Sequence, residues 1–165
     1  MFETSVQRKM KVIVLGTVML LAHISSFASA EDPEVPKYTE TENGNSYSLY
    51  TDLKSFEKAS EVCATNHQHL VTITDSEENT LVLDLLSRAG IAGGRVWLGY
   101  STVMSSTEQW AWVDAASTTF ENWHVGEPSE EDDCAELMFH YGNWPDGEWS
   151  GSSCERLNMF ICEGD

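Results

Sequence analysis

The order of apolar and polar positions divides the chain into a helical half followed by a strand-rich half. Tyr47 and Leu49 alternate with serines over residues 46–50, the period of a half-buried strand. Ser55 then stands where a helix N-cap belongs. Phe56, Ala59, Val62 and Cys63 follow at three- and four-residue intervals, so the spacing predicts a helix with one buried face. Leu70, Val71 and Thr72 make a short apolar, β-branched run expected to be a buried strand. Asp75 opens a second helix: its carboxylate can cap, Glu78 can reach back, and the early acids suit the positive end of the helix dipole. Val82, Leu85 and Leu86 give that helix its inner face, and Gly90 ends it. After the loop Ala92-Gly93-Gly94 the pattern switches to strands, at residues 96–100, 110–113, 134–139 and 159–162, with Trp110 and Trp112 facing one way. Apart from the strand that begins at Cys134, residues 114–149 read as loop, rich in Glu, Asp, Trp, Ser and Gly. The order predicts an α+β domain. Loops this long inside a compact domain usually carry function.

The first thirty residues do not share this patterning. Arg8, Lys9 and Lys11 precede an apolar run over residues 12–21, and Ala28-Ser29-Ala30 supplies the small residues of a cleavage site. That is the layout of a signal peptide over residues 1–30, with Met10 as an alternative start. The run is too short to span a membrane, which takes about 20 apolar residues. Residues 31–44, with Pro33 and Pro36, read as a flexible leader, and residues 45–165 as the domain. Of the 9 Lys and Arg, Arg8, Lys9 and Lys11 fall in the signal segment, and of the 27 Asp and Glu only Glu3 does; the rest carries 6 against 26, a net charge of −20. Nucleic acid and anionic membrane are therefore poor partners, since both select positive charge. Divalent cations become eligible ones. Cys63, Cys134, Cys154 and Cys162 behind a signal peptide read as two disulfides, with three connectivities open. Their spacing fits no zinc pattern.

A family resemblance follows from these residues. His69-Leu70-Val71 after the first cysteine, Trp97-Leu98-Gly99, Trp110-Ala111-Trp112-Val113-Asp114, Gly126-Glu127-Pro128-Ser129, Asp133-Cys134-Ala135-Glu136-Leu137 and Phe160-Ile161-Cys162-Glu163 occur in order over nearly the whole region after residue 46. Together they resemble the C-type lectin domain in its short, secreted form. The resemblance implies two helices packed on small antiparallel sheets with long loops, and bridges Cys63–Cys162 and Cys134–Cys154. It implies no catalysis, and no nucleophile–base constellation is visible in the sequence.

Sugar-binding members hold their ligand through a calcium ion. Calcium takes six to eight oxygens. The resemblance brings Glu127, Ser129 and Asp132 forward as calcium and carbohydrate ligands, with Glu130 or Glu131 as substitutes for Asp132. Pro128 can present the loop through a cis bond, which is close to a proline privilege. Trp144 is a candidate for stacking on a sugar. Trp149-Ser150-Gly151 stands where the family has Trp-Asn-Asp, so two calcium side chains are missing and only the Gly151 carbonyl and the Ser150 hydroxyl remain. Calcium is expected to bind weakly. Trp97, Trp110, Trp112 and Trp149 are expected in the core, and His124 and His140 on the surface. The implied function is a secreted lectin that binds galactose- or mannose-type glycans or glycoproteins, a use that suits innate recognition of microbes. Such single sites bind weakly, so multivalency through oligomer assembly is expected. Two other readings compete: a calcium-independent module for a protein or surface ligand, and an acidic matrix or mineral-associated protein.

Overall fold

A computed structural model describes residues 34–105 and 108–165. The signal-peptide reading falls on residues outside those described. The chain runs β1 (Tyr38–Glu42), β2 (Asn45–Lys54), α1 (Phe56–Thr65), β3 (His69–Leu70), α2 (Ser76–Arg88), β4 (Gly94–Ser101), β5 (Ala111–Trp112), β6 (Cys134–Phe139), β7 (Trp149–Ser152) and β8 (Asn158–Gly164).

Both helices start where the sequence places them. The Ser55 side chain accepts from the Lys58 N–H. Asp75 Oδ1 accepts from the Glu78 N–H at 2.9 Å, while Glu78 Oε2 reaches back to the Thr74 N–H at 2.6 Å. These bonds satisfy donors that a helix start leaves without partners. Phe56, Ala59 and Cys63 are buried from α1, and Val82, Leu85 and Leu86 from α2.

The strands form one path, β1-β2-β8-β4-β6-β7, with β3 beside β8 and β5 beside β4. All pairings are antiparallel except β4 with β8, so the sheet is mixed where small antiparallel sheets were expected. The N-terminal stretch also differs from expectation. Tyr38–Glu42, read as part of a flexible leader, is a strand in register with β2, Tyr38 opposite Leu49 and Glu42 opposite Asn45. It is an edge strand, polar apart from Tyr38, which packs against the core, and its ladder holds the rest. The Arg88–Glu40 pair at 2.9 Å ties it to α2.

Strand β6 is buried along its whole length, which fits a strand covered on both faces. The core closes around Tyr100, whose ring lies 4.6 Å from Trp112 and 5.4 Å from Trp110. The two tryptophans face one way, as their spacing predicts. Trp149 is fully buried against Trp112 and Trp123. The disulfides are Cys63–Cys162 and Cys134–Cys154, as the resemblance implies. They close 99- and 20-residue separations. By chain entropy each is worth on the order of 3 to 5 kcal/mol.

Candidate functional site

The loop after Trp123 is built from backbone hydrogen bonds to β7. The His124 N–H donates to the Trp149 carbonyl at 2.9 Å, and the Trp149 N–H donates to Asn122 at 2.9 Å. The Glu127 N–H then donates to the His124 carbonyl, making a turn from which the Glu127–Pro128 peptide leaves in the cis form. Asn79 of α2 clamps this base from below. Its amide donates to the Gly147 carbonyl at 3.1 Å and its carbonyl accepts from Trp149 Nε1 at 2.9 Å. Asn79 carried no site signal in the sequence, because it sits on an ordinary helix remote in number from the loop.

Glu127, Ser129, Asp132 and Gly151, all singled out from the sequence, are brought together. The Gly151 N–H donates to Glu127 Oε2 at 2.9 Å. Asp132 Oδ2 accepts both the Ser129 N–H at 3.0 Å and the Ser129 hydroxyl at 2.6 Å. The glycine is what makes room. A Cβ on Gly151 would lie 2.5 Å from Asp132 Cβ and 2.6 Å from its Oδ2. The Asp132 side chain thus occupies the space that a side chain on residue 151 would need. Ser150 turns inward and its hydroxyl donates to the Gly151 carbonyl at 3.0 Å.

Beside this cluster opens a cleft of about 920 Å³, between the loop leaving β4 and residues 129–133. Thr102, Glu108, Trp110, Ser129, Asp132 and Asp133 are among its lining residues, and so is Glu130, one of the substitutes proposed for Asp132. The Thr102 hydroxyl donates to Asp133 Oδ1 at 2.6 Å, which joins the two walls. The cleft is therefore acidic, with one indole on its side. Trp144 is placed elsewhere: its ring packs on His124 at 4.1 Å. His124 pairs through Nδ1 with Glu148, and His140 pairs through Nε2 with Asp146 at 3.0 Å, so both histidines are partnered by carboxylates. Deeper in β6, burial pushes the Glu136 carboxyl above the usual carboxylate range, against the pull of Asn158 and Arg95.

The donor set does not match a calcium sphere. Calcium asks for six to eight oxygens pointing at one place. Here Asp132 points at N–H and O–H donors of the loop itself, Glu127 at the Gly151 N–H of β7, and the Gly151 carbonyl already accepts from Ser150. Among the described residues no group of three His, Cys, Asp or Glu is arranged to hold a metal ion.

Residues 52–164 match the profile of the Lectin C-type domain. The chain is 31% identical over 122 residues to a perlucin-like protein of Mytilus galloprovincialis, covering 72% of this chain and 75% of that one. It is 28% identical over 123 residues to layilin of Mus musculus, covering 66% of this chain and 32% of layilin's length. Among solved structures, the carbohydrate-recognition domain of the human scavenger receptor C-type lectin superposes with a TM-score of 0.64 at 26% identity, covering 80% of this chain and 99% of that one. None of the helices in the described residues is long and apolar enough to cross a membrane.

Proposed function

Because the chain belongs to the C-type lectin domain family, whose members are binding modules and not enzymes, we propose that it is a secreted carbohydrate-binding lectin whose recognition loop is held by its own hydrogen bonds rather than by calcium. The observation that carries this reading is the Asp132 side chain lying in the space above Gly151 and bonded twice to Ser129. In calcium-bearing relatives a metal ion gathers the loop's oxygens. Here the same task falls to donors within the loop and on the adjoining β7. Each carboxylate has about four lone-pair sites, so Glu127 and Asp132 can still accept hydroxyl protons from a ligand.

The ligand that suits this surface is neutral and rich in hydroxyls, of galactose or mannose type. An anionic glycan would meet Glu108, Glu130, Asp132 and Asp133 at the cleft. Trp110, on the cleft wall, is the aromatic surface beside the ligand, and Trp144 serves to pack His124. Secretion follows from removal of residues 1–30.

The test is retention on immobilised galactose and mannose. Wild type is expected to bind one of them. Glu127→Gln and Ser129→Ala are expected to bind at least about tenfold more weakly, the loss of roughly one charged hydrogen bond. Unchanged retention of both variants would remove the loop from recognition.

A further inference from the structure

The hydrogen bonds that hold the Glu127 loop leave its surface rich in acceptors and poor in donors. The Ser129 N–H and hydroxyl are both spent on Asp132 Oδ2, at 3.0 and 2.6 Å. The Gly151 N–H is spent on Glu127, and the Ser150 hydroxyl on the Gly151 carbonyl. Across the cleft, the Thr102 hydroxyl is spent on Asp133 Oδ1, and the Thr102 N–H on the Asp133 carbonyl at 2.9 Å. Asp132 Oδ1 and Asp133 Oδ2 take no hydrogen bond among the described residues. A sugar hydroxyl brings one donor and two lone pairs. Its donor is accepted here, but its lone pairs meet neither a gathered metal site nor the donors already spent. A primary ammonium brings three donors and no lone pair.

Charge points the same way. Glu108, Glu130, Asp132 and Asp133 line the cleft of about 920 Å³, and no Lys, Arg or His does. Among the described residues none of these four acids takes part in a salt bridge. Their charge is left for a ligand to balance. A metal ion is a poor match, because among the described residues no three such groups are arranged to hold one. Calcium wants six to eight oxygens at one centre, whereas an ammonium is satisfied by three acceptors.

The cleft wall adds an aromatic surface. Trp110 lines it, with its ring packed 5.4 Å from Tyr100 and 5.0 Å from Trp123. A cation over an indole face is drawn by the ring quadrupole. A ring already wedged between two others loses little freedom when a ligand arrives. The cleft is also large, near the top of the range of about 300 to 1,000 Å³ for small-molecule sites. It has room for a substituent beyond the ring held at Glu127.

We propose that the glycan recognised here carries a free amine. It is an amino sugar whose ring hydroxyls meet Glu127 and Asp132, and whose ammonium group enters the cleft among Glu108, Glu130 and Asp133, beside Trp110. The inference rests on the reading of the Glu127 loop as a sugar site, and deepens it from a neutral ring to a ring with one cationic substituent.

Calorimetric titration of the full chain tests it, with galactose, galactosamine and N-acetylgalactosamine, and with the three corresponding manno sugars. The titrations are run in chelator at about pH 6, where a sugar amine is charged. In the series that binds, the free amine is expected to bind at least about fivefold more tightly than the parent hexose. N-acetylation removes the charge and two of the three donors, and is expected to abolish the gain. The gain is expected to shrink in about 1 M sodium chloride, where the screening length is about 3 Å. The double variant Glu108→Gln, Glu130→Gln is expected to bring the amine-to-hexose affinity ratio within about twofold of one. Both side chains are exposed, and a ratio measured within one protein does not depend on the fraction folded. A hexose that binds as tightly as its amine overturns the inference and leaves the sugar site standing. Binding of none of the six sugars overturns both. A gain that survives N-acetylation, or a ratio that the double variant leaves unchanged, also overturns it. So does ethanolamine, which has the ammonium but no ring, binding as tightly as the amino sugar: that would be attraction by net charge alone.

Discussion

Gly151→Ala is the smallest change that tests how the recognition loop is built. The added Cβ would lie 2.5 Å from Asp132 Cβ, 2.6 Å from Oδ2 and 2.8 Å from Cγ. The backbone of the loop cannot easily yield. The Asp132 N–H donates to the Ser129 carbonyl at 3.2 Å, and the Asp133 N–H donates to Ser152 of β7 at 3.3 Å. Rotation about Cα–Cβ clears Oδ2 and Cγ but not Cβ, so the strands must also be pushed apart locally, and Asp132 gives up the Ser129 N–H and hydroxyl. Overpacking alone costs about 1 to 3 kcal/mol. Two hydrogen bonds to an ionised acceptor would add about 3 kcal/mol if buried, and less in a loop open to water. A total of about 2 to 4 kcal/mol follows, or a fall in Tm of roughly 6 to 14 °C for a domain of this size. The backbone at residue 151 is ordinary extended strand, so no glycine-specific conformation adds to the cost. Thermal unfolding followed by tryptophan fluorescence measures it. The same substitution in an Asp132→Gly background is expected to cost far less, because there the Cβ, the carboxylate and its bonds have already gone. A cost below about 0.5 kcal/mol, or one that is equal in both backgrounds, would refute the packing argument.

Two further outcomes are expected from the core. Burial, then the neighbouring Glu163 carboxylate, pushes the Tyr47 phenol up to about 12 from an ordinary 10.0. The folded state thus holds that proton more tightly, so stability is complete below pH 10 and falls as pH rises towards 12. Urea titrations across this window should show the fall, and Tyr47→Phe should flatten it. Glu163→Ala removes the acceptor for the Thr72 N–H, for Asn45 Nδ2 and for the Tyr47 hydroxyl. A loss of about 3 to 5 kcal/mol is expected by urea unfolding, since buried donors are left without partners. A loss under about 1 kcal/mol would mean that water replaces the carboxylate.

The elements that were legible in the sequence are those whose signals are local. Ser55 and Asp75 cap their helices as their positions predict, and Phe56, Ala59 and Cys63 point inward at helical spacing. The cis Glu127–Pro128 peptide was open to the sequence only through the family resemblance, since a proline permits the cis form without dictating it. The failures share a different physics. Tyr38–Glu42 alternates Thr and Glu after a single aromatic residue, Tyr38, too little to set a face by pattern, and the ladder to β2 makes it a strand. Trp149–Ser152 is short, its one apolar residue Trp149 being followed by Ser-Gly-Ser, and it depends on pairing with β6. At the site, Ser150-Gly151 announced missing calcium ligands. That Asp132 moves into the vacated space could not be read from either residue, because the contact joins positions nineteen apart through a fold that neither encodes. The pairing of His124 with Glu148 is of the same long-range kind.

The central claim is that the loop's own hydrogen bonds do what calcium does in other members of the family. The direct measurement is the affinity of the chain for the glycan that retains it, determined once with a chelator and once with excess calcium. Equal affinities, within about twofold, are the expected result. A loss of about tenfold or more in chelator, restored by calcium, would contradict it.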